Sequence, residues 1–596
     1  MHFAAPSYVE RPEPPPSDIP IHEFLFSDGK YGRHPISSSL PPFTCGITGK
    51  AYSAEEVVQR VAHLAQALAA ELRVGVNEGT EFDKVIGIFS LNAVDTLTTS
   101  WATHRLNGVS APISPSYSAA ELTRQLVAVK CKALFTCTPL AATAIDAAAA
   151  AGIPRERIYL IDIPEKACMG VSPPEDLRTL DQLIALGRKL APLEGMQWDK
   201  DQGSKQTAYL CSSSGTSGLP KNVMISHRNV ISNCIAFQSY ERVYKPEVPE
   251  MSLGSLPLSH SYALIGTGHA GLLRGDGLVV LPGFDLLDVL GAIQTYKLSR
   301  LWLVPPMVVG LIRASVIANK FDLSSVKHAT VGASNLTKDV WQQFSRLFPG
   351  CKLAQGYGLT EAAVIVSVQN PQDNLFGSCG YLLPTFEGRL VDEEMKDIGA
   401  CGKAGELVLR SDSIMLGYLD NQEASSEAFT EDGWLRTGDL FELRKDASGN
   451  VHMFFVDRLK ELIKVRGMQV SPTELETHLA RHPAVADSIV VPIVNEATGE
   501  LPIAFIVRTP DARNQDEKAL KESIHAHFNA EMADYKRLGG GIEFVDVLPK
   551  TAAGKTQRGT MKQKAKAVYE ASRAKAAPVV IQTFEFDTDE EDDDDE

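Results

Sequence analysis

The sequence has no long hydrophobic run, no recognisable targeting segment and few cysteines. No stretch approaches the ~18 consecutive apolar residues of a membrane-spanning helix. The start, MHFAAPSYVERPEPPPSD, has no basic region followed by an apolar one, so we expect no secretion signal. The nine cysteines form no CxxC pair and no Cys/His cluster with zinc-ligand spacing. This cysteine usage is typical of a reducing compartment, and we expect a cytoplasmic protein rather than a disulfide scaffold.

Positive charge is also scarce. The chain has 58 Lys and Arg against 74 Asp and Glu, a net charge of −16. The last twelve residues, EFDTDEEDDDDE, hold ten of these acids, which leaves −6 for the rest of the chain. The acidic balance argues against non-specific nucleic-acid binding. We expect the segment 576–596 to be a disordered, solvated tail, with docking to a basic partner as the alternative.

The length of the chain indicates several domains, and its pattern of apolar segments indicates their architecture. A chain of 596 residues exceeds one hydrophobic core, since cores stop growing near roughly 250–300 residues. Ser53 and Glu56 form a capping box before an amphipathic helix. Short apolar runs separated by helix-length segments indicate parallel sheets covered by helices, an α/β architecture; the runs are 84–89, 133–137, 277–281 and 300–304.

The sequence also predicts where the domains begin and end. Five prolines in the first 17 residues predict a disordered N-terminus over 1–17. A large N-terminal domain is expected over 18–457, with shorter strands from about 400 forming a small barrel-like part. A smaller α+β C-terminal domain follows over 458–575.

The most informative segment is the loop Tyr209-Leu-Cys-Ser-Ser-Ser-Gly-Thr-Ser-Gly-Leu-Pro-Lys221. Its glycines let backbone N–H groups converge on an anion, its hydroxyls add donors, and its lysine adds a positive charge. The alternative is a flexible linker. As a phosphate cradle it would act through Ser212, Ser213, Ser214, Gly215, Thr216, Ser217, Gly218 and Lys221.

This loop resembles the phosphate-binding signature of the adenylate-forming (AMP-binding) enzymes, the family of acyl-CoA synthetases, aryl-CoA ligases such as 4-coumarate:CoA ligase, and beetle luciferases. The resemblance covers about residues 20–570 and looks closest to the aryl-CoA ligase and luciferase branch. Further motifs follow in the family's order: Gly356-Tyr-Gly-Leu-Thr-Glu361, Trp434-Leu-Arg-Thr-Gly-Asp439, Asp457-Arg-Leu-Lys-Glu-Leu-Ile-Lys464, Arg466-Gly467 and Pro549-Lys-Thr-Ala-Ala-Gly-Lys555.

The motifs suit ATP chemically, and the resemblance implies the same roles. Tyr357 offers a flat face for adenine, and Asp439 can accept the ribose hydroxyls. Arg458 supplies donors toward ribose or phosphate, and Glu361 is an oxygen ligand for Mg²⁺. A turn cap and a surface charge are the alternatives for Asp439 and Arg458. The nucleotide site is thus expected to contain Gly332, Ala333, Gly356, Tyr357, Gly358, Thr360, Asp439 and Arg458.

The resemblance also implies a catalytic lysine and a binding site for coenzyme A (CoA). Lys555 matches the lysine that bridges the carboxylate and the α-phosphate during adenylation, where it offsets two repelling anions. Lys464, Arg466 and Gly467 match the CoA side. The C-terminal domain is implied to rotate about a hinge near Lys460, so that Lys555 and Lys464 serve successive half-reactions.

The acyl site resembles the family segment Pro257-Leu-Ser-His-Ser-Tyr262, with His260 beside the carboxylate; a hydrogen-bonded core histidine is the alternative. Amino-acid-activating members of the family typically place an Asp just after this point to pair with the substrate ammonium, whereas here Ser261 and Tyr262 follow with no acid nearby. A buried ammonium without a partner is costly, so an amino-acid substrate is disfavoured. An apolar wall suits an aryl or fatty acyl group. Expected substrate contacts are His260, Ser261, Tyr262, Ala333, Ala363 and Val364, and expected catalytic residues are Lys555, His260 and Thr360.

We therefore expect an ATP- and Mg²⁺-dependent acid:CoA ligase acting on a small-molecule carboxylic acid. The first alternative is an adenylating enzyme that loads a separate carrier protein. A catalytically inactive scaffold and a luciferase-like oxygenation are weaker alternatives.

Overall fold

The structure, a computed structural model, describes residues 2–213, 220–244, 248–334, 336–372, 375–466, 468–495, 499–551 and 556–575. The chain forms two compact units. The first unit is Met1–Lys460 with Lys550–Thr556, and the second is Glu461–Pro549 with Gln557–Glu596. The division falls at Lys460, slightly after the boundary expected at 457, so Arg458 belongs to the first unit.

The first unit contains 22 strands within the described residues. They are β1 (His2–Ala4), β2 (Phe43–Cys45), β3 (Ala51–Tyr52), β4 (Val85–Phe89), β5 (Val109–Ile113), β6 (Ala133–Thr136), β7 (Ile158–Leu160), β8 (Arg178–Thr179), β9 (Thr207–Ser213), β10 (Lys221–Ser226), β11 (Met251–Gly254), β12 (Gly277–Val280), β13 (Arg300–Leu303), β14 (His328–Val331), β15 (Lys352–Leu359), β16 (Val364–Val368), β17 (Tyr381–Leu382), β18 (Glu387–Val391), β19 (Ala404–Arg410), β20 (Gly417–Tyr418), β21 (Leu435–Lys445) and β22 (Val451–Arg458).

The helices of the first unit lie mostly between these strands. They are α1 (Ile21–Phe26), α2 (Ala54–Leu72), α3 (Thr96–Arg105), α4 (Ala119–Ala128), α5 (Ala141–Ala150), α6 (Leu180–Gly187), α7 (Gln202–Lys205), α8 (His227–Arg242), α9 (Gly271–Leu273), α10 (Leu286–Tyr296), α11 (Pro305–Arg313), α12 (Ser315–Ala318), α13 (Lys338–Leu347) and α14 (Gln422–Glu427). A π-helical segment, Tyr262–Ala270, packs against α8.

Two large sheets carry the α/β architecture expected from the sequence. The eight-stranded sheet has the order β20-β10-β9-β5-β4-β6-β7-β8, and the nine-stranded sheet has the order β17-β16-β15-β14-β13-β11-β12-β2-β3. The strands from β15 through β2 in the second sheet are parallel. The four apolar runs become β4, β6, β12 and β13, and the capping box at Ser53 starts α2. The predicted fold class is confirmed.

A five-stranded antiparallel sheet, in the order β1-β18-β19-β21-β22, corresponds to the small part expected near 400. Its edge strand β1 comes from the N-terminus, which was expected to be disordered. That expectation is wrong for the described residues, because His2–Ala4 pairs with Glu387–Arg389. Phe3 and Val9 are buried, and this burial offsets the entropy of ordering the segment.

The second unit is a small α+β fold. Its strands are β23 (Ile463–Val465), β24 (Met468–Val470), β25 (Val485–Asn495), β26 (Gly499–Arg508) and β27 (Ile542–Val545), and its helices are α15 (Pro472–Leu479), α16 (Glu517–Glu531) and α17 (Arg558–Lys575). The strands form one sheet, β24-β23-β26-β25 with β27 beside β26. In the described parts of the chain, every helix is too short or too polar to cross a bilayer.

Candidate active site

A cavity lies at the carboxyl edge of the nine-stranded sheet, where ligands commonly bind in α/β folds. Its lining atoms enclose about 590 Å³ of free space, part of it open to solvent. Strands β13, β14 and β15 bring their ends to it, and the segment after β11 covers it. The lining residues are Phe237, His260, Ser261, Tyr262, Trp302, Thr330, Gly332, Ala333, Gly356, Tyr357, Gly358, Leu359, Thr360, Val364, Ile365, Ser367 and Val368.

The cavity brings together many of the residues singled out from the sequence. The expected acyl segment 260–262 and the expected nucleotide segment 356–360 line the same space, together with Gly332, Ala333 and Val364. Ala363 adjoins the lining but is not part of it. Ile365 belongs to the segment 362–366 that the sequence assigns to an apolar wall. Sequence reasoning missed Phe237 and Trp302, because nothing in an apolar helix or strand distinguishes a cavity residue from a core residue.

One end of the cavity is formed by Phe237, Tyr262 and Trp302, which we call the aromatic end. The Trp302 ring centroid lies 5.8 Å from that of Phe237 and 6.0 Å from that of Tyr262. The Tyr262 hydroxyl donates to the Thr330 carbonyl oxygen at 3.2 Å. Burial raises the pKa of Tyr262, so its phenol stays neutral. The aromatic end therefore presents an uncharged, largely apolar surface.

A buried ion pair supports the aromatic end from behind. The Arg300 guanidinium carbon lies 4.1 Å from the Trp302 ring centroid. Glu241 accepts from Arg300 at 2.7 and 3.0 Å, and both side chains are only 2% exposed. Removing one member of such a pair would leave an uncompensated buried charge, which is strongly destabilising.

Tyr357 also lines the cavity, and its hydroxyl contacts Asp439, which faces Arg458; we call these three residues the polar corner. The Tyr357 hydroxyl donates to Asp439 Oδ2 at 2.7 Å. Arg458 Nε lies 3.5 Å from Asp439 Oδ1, and the two residues face each other across β21 and β22. Burial raises the pKa of Tyr357, which keeps its hydroxyl a donor. The structure thus brings together three residues that the sequence assigns to the nucleoside.

His260 also lines the cavity. The Tyr262 backbone N–H donates to His260 Nδ1 at 3.2 Å. The neutral imidazole therefore carries its proton on Nε2, which makes that atom a hydrogen-bond donor. A donor at this point suits a carboxylate.

Thr360 and Glu361 occupy the turn between β15 and β16. Ser261 Oγ and Thr360 Oγ1 are 3.0 Å apart. Glu361 Oε1 accepts from the Tyr418 hydroxyl at 3.1 Å. Within the described residues, Glu361 Oε2 has no hydrogen-bond or ion-pair partner, so one carboxylate oxygen is available to a ligand.

The backbone of this turn is constrained. A Cβ atom at Gly358 would lie 1.7 Å from the Val364 carbonyl oxygen, so only glycine fits there. Ala363 and Val364 have φ angles of 48° and 89°. Left-handed backbone is costly, especially for a β-branched residue, and such strain concentrates at functional sites.

The expected phosphate loop is described only at its ends. Ser212 and Ser213 close β9, and Lys221 opens β10 opposite Ser213. The Lys221 ammonium lies 4.7 Å from the Tyr418 ring centroid. Ser214, Gly215, Thr216, Ser217 and Gly218 lie outside the described residues, as do Gly467 and Lys555.

The remaining candidates belong to the second unit. Lys464 is exposed on β23, and its backbone N–H donates to Glu500 Oε2 at 2.7 Å. Arg466 is exposed, with a φ of 50°. Their proposed contact with CoA stays a prediction.

Comparison with protein families gives two matches. The model of the AMP-binding enzymes matches residues 41–419, and the model of the AMP-binding enzyme C-terminal domain matches residues 474–555.

Curated relatives match most of the chain over their own full length. The acyl-CoA ligase easD of Emericella nidulans is 37% identical, over 94% of this chain and 100% of its own length. The acyl-CoA ligase lcsD of Purpureocillium lilacinum is 49% identical, over 62% of this chain and 100% of its own.

Solved structures share the fold. ATP-bound MatB from Rhodopseudomonas palustris superposes with a TM-score of 0.77 at 22% identity, covering 93% of this chain and 100% of its own. A benzoate CoA ligase from Burkholderia xenovorans LB400 has a TM-score of 0.73 at 20% identity, covering 91% and 100%.

Proposed function

The chain belongs to the AMP-binding enzyme family, and from this premise we propose that it is an ATP- and Mg²⁺-dependent ligase that joins a carboxylic acid to CoA. In the first step a carboxylate oxygen attacks the α-phosphorus of ATP, and the bond to the bridging oxygen of pyrophosphate breaks. In the second step the CoA sulfur attacks the acyl carbon, and AMP leaves. The thiol proton goes to solvent.

One observation carries this proposal: a single cavity is lined by the aromatic end, by His260 and by Tyr357, whose hydroxyl contacts Asp439 of the polar corner. ATP requires acceptors for the ribose and donors for phosphate, whereas the acyl group requires an apolar slot. The cavity offers both, so the carboxylate of a bound acid can lie beside the α-phosphate.

The residues divide the work as follows. Asp439 accepts the ribose hydroxyls, with Tyr357 and Arg458 holding it in place. His260 Nε2 donates to the acid's carboxylate and orients it. Thr360 and Lys221 donate to phosphate oxygens, and Lys555 offsets the charge that develops between carboxylate and α-phosphate.

Glu361 fits a magnesium ion that arrives with ATP. A carboxylate with one free oxygen is the hard ligand that Mg²⁺ takes beside phosphate oxygens. When bound, the ion neutralises phosphate charge. Glu361 would hold it through Oε2 while Oε1 keeps the bond to Tyr418.

The acid is proposed to carry no second charge. Apart from His260, no described residue that lines the cavity has a side chain that ionises near neutral pH. A buried ammonium or second carboxylate would lack a partner there, at a cost of several kcal/mol. Aryl and fatty monocarboxylic acids fit this environment, and the relatives named acyl-CoA ligases support CoA as the acceptor.

The test is acid-dependent pyrophosphate release from ATP, measured with aryl, medium-chain and long-chain acids beside an amino acid and a dicarboxylic acid. We expect release with at least one monocarboxylic acid and a free CoA thioester by mass spectrometry. Loading of a carrier protein without a free thioester would contradict the CoA assignment. An absence of release with every acid would favour an inactive scaffold.

The cytosol stays a prediction for the location, and imaging of the tagged full-length protein tests it. A basic partner for the acidic tail is likewise untested.

A further inference from the structure

Tyr418 lies at the edge of the eight-stranded sheet, outside every motif used above. It belongs to β20, which pairs with β10 so that Tyr418 is opposite Val223. Its backbone N–H donates to Ser425 Oγ at 2.8 Å, which ties it to α14. Tyr418 therefore occupies a fixed place beside the strand that opens with Lys221.

The Tyr418 hydroxyl reaches the turn between β15 and β16. It donates to Glu361 Oε1 at 3.1 Å, while the Met415 backbone N–H donates to the Glu361 carbonyl oxygen at 2.9 Å. The bond to Tyr418 therefore fixes Glu361 Oε1, and this also fixes the direction in which Oε2 points.

The face of the Tyr418 ring has a second neighbour. The Lys221 ammonium lies 4.7 Å from the ring centroid, within cation–π range. In the part of the chain that the structure describes, this ammonium has no hydrogen-bond or ion-pair partner. The aromatic contact localises the charge without neutralising it.

We propose that Tyr418 is a positioning residue that sets the geometry of Mg²⁺·ATP binding, through its hydroxyl for Glu361 and through its ring for Lys221. The proposal rests on the proposed function, since it takes Glu361 as a magnesium ligand and Lys221 as a phosphate contact. A hydrogen bond to a charged group restricts the carboxylate's rotation, and this pre-orders the ligand before the ion arrives. Tyr418 touches neither the acid nor the reacting atoms.

Two substitutions separate the two contacts. Tyr418→Phe removes the hydroxyl and keeps the ring below Lys221, whereas Tyr418→Leu removes both. Tyr381→Phe is the matched control, because the Tyr381 hydroxyl also donates to a carboxylate, Asp446 Oδ2 at 3.1 Å, and Asp446 has no part in the proposed ATP site. Thermal melts confirm that each variant is folded.

The readout is equilibrium binding of ATP, titrated with and without Mg²⁺. Tyr418→Phe should weaken Mg²⁺·ATP binding about three- to tenfold, the size of one typical lost hydrogen bond, and leave metal-free ATP within about twofold. Tyr418→Leu should also weaken metal-free ATP about two- to fivefold, because the cation–π contact is lost. Tyr381→Phe should leave both affinities unchanged.

A double-mutant cycle shows whether the hydroxyl acts through Glu361. In a Glu361→Ala background, Tyr418→Phe should have no further effect on Mg²⁺·ATP affinity. The proposal is overturned if Tyr418→Phe binds Mg²⁺·ATP like the parent, if it weakens both forms of ATP equally, or if the two effects simply add. Failure of the parent to bind ATP at all would instead contradict the proposed function, so the two failures are distinguishable.

Discussion

The aromatic end lines the cavity and the polar corner reaches it through Tyr357, but the two groups are held by different forces. In the polar corner each oxygen has a specific partner: Asp439 accepts from Tyr357 and faces Arg458. At the aromatic end, Phe237, Tyr262 and Trp302 define a shape through ring packing. Hydrogen-bonded groups require particular residue types, whereas packed groups require only volume and contour. We infer that the polar corner serves a constant ligand and the aromatic end a variable one.

The largest expected effect comes from Lys555, which belongs to neither region. Lys555→Ala should lower adenylate formation by roughly 10²–10³, the size of one lost preorganised electrostatic contact. Supplied with synthetic acyl-AMP, the variant should make thioester at near the parent rate, whereas Lys464→Ala should accumulate acyl-AMP. Pyrophosphate release beside single-turnover thioester formation measures both.

The exposed Lys550 is the matched control, and Lys550→Ala should leave both half-reactions unchanged. Equal loss of both half-reactions in Lys555→Ala would show that the two lysines do not divide the reaction between them.

The next largest effect tests whether the polar corner serves ATP alone. Asp439→Asn removes the charge that faces Arg458 and weakens an acceptor, so the KM for ATP should rise about tenfold. The order of preference among acids should stay the same, because the acyl contacts are untouched. Asp432→Asn, which also breaks an aspartate–arginine pair in this unit, should change neither quantity. A changed order of preference among acids in Asp439→Asn would contradict the assignment of ATP and the acid to separate regions.

Substitutions at apolar positions of the cavity should change the preference among acids and leave ATP binding unchanged. Tyr262→Leu and Val364→Ala should reorder the acids by about 1–3 kcal/mol per methylene-sized change, with the KM for ATP near the parent value. The kcat/KM for each acid in a graded series measures this. Val366→Ala, on the same strand and buried outside the cavity lining, should lower stability without reordering acids. If both Tyr262→Leu and Val364→Ala kept the parent's order of preference among acids, the proposal that these residues contact the acyl group would be wrong.

The smallest expected effect is a loss of stability of the first unit at low pH. Burial lowers the pKa of His22 to about 3 and that of His269 to about 4. The unfolded chain binds these protons near pH 6.5, so stability is full above that pH and falls as the pH drops toward 4. Calorimetry should show a Tm lower by a few degrees at pH 5.5 than at pH 7. A Tm that is flat or rising on acidification would contradict the neutral burial of these histidines.

Much of the fold could be predicted from the sequence, because local sequence patterns specify many of its helices and strands. The capping box at Ser53 starts α2, and the apolar runs become buried strands, since burial on both faces leaves a continuous apolar stretch. The N-terminal strand β1 was not readable. Its pairing with β18 joins segments almost 400 residues apart, and no local pattern in a proline-rich stretch specifies such a partner.

The candidate site divides in the same way. The polar corner was predicted residue by residue, because Tyr357, Asp439 and Arg458 lie in motifs whose chemistry is specific. Trp302 and Phe237 were missed, because an aromatic residue in a buried strand or helix carries no sign of whether it faces a cavity. Tyr418 was missed for another reason: its role lies in two contacts with distant segments, at Glu361 and Lys221.

The most direct test of the two-region account is pyrophosphate release with one panel of monocarboxylic acids, measured for the parent, Asp439→Asn and Tyr262→Leu. The account predicts acid-dependent release by the parent. Asp439→Asn should lower release, at ATP concentrations below the KM, by one common factor for every acid, while Tyr262→Leu should change the order of the acids. Release by the parent that does not depend on any acid, or a reordering caused by Asp439→Asn, would contradict it.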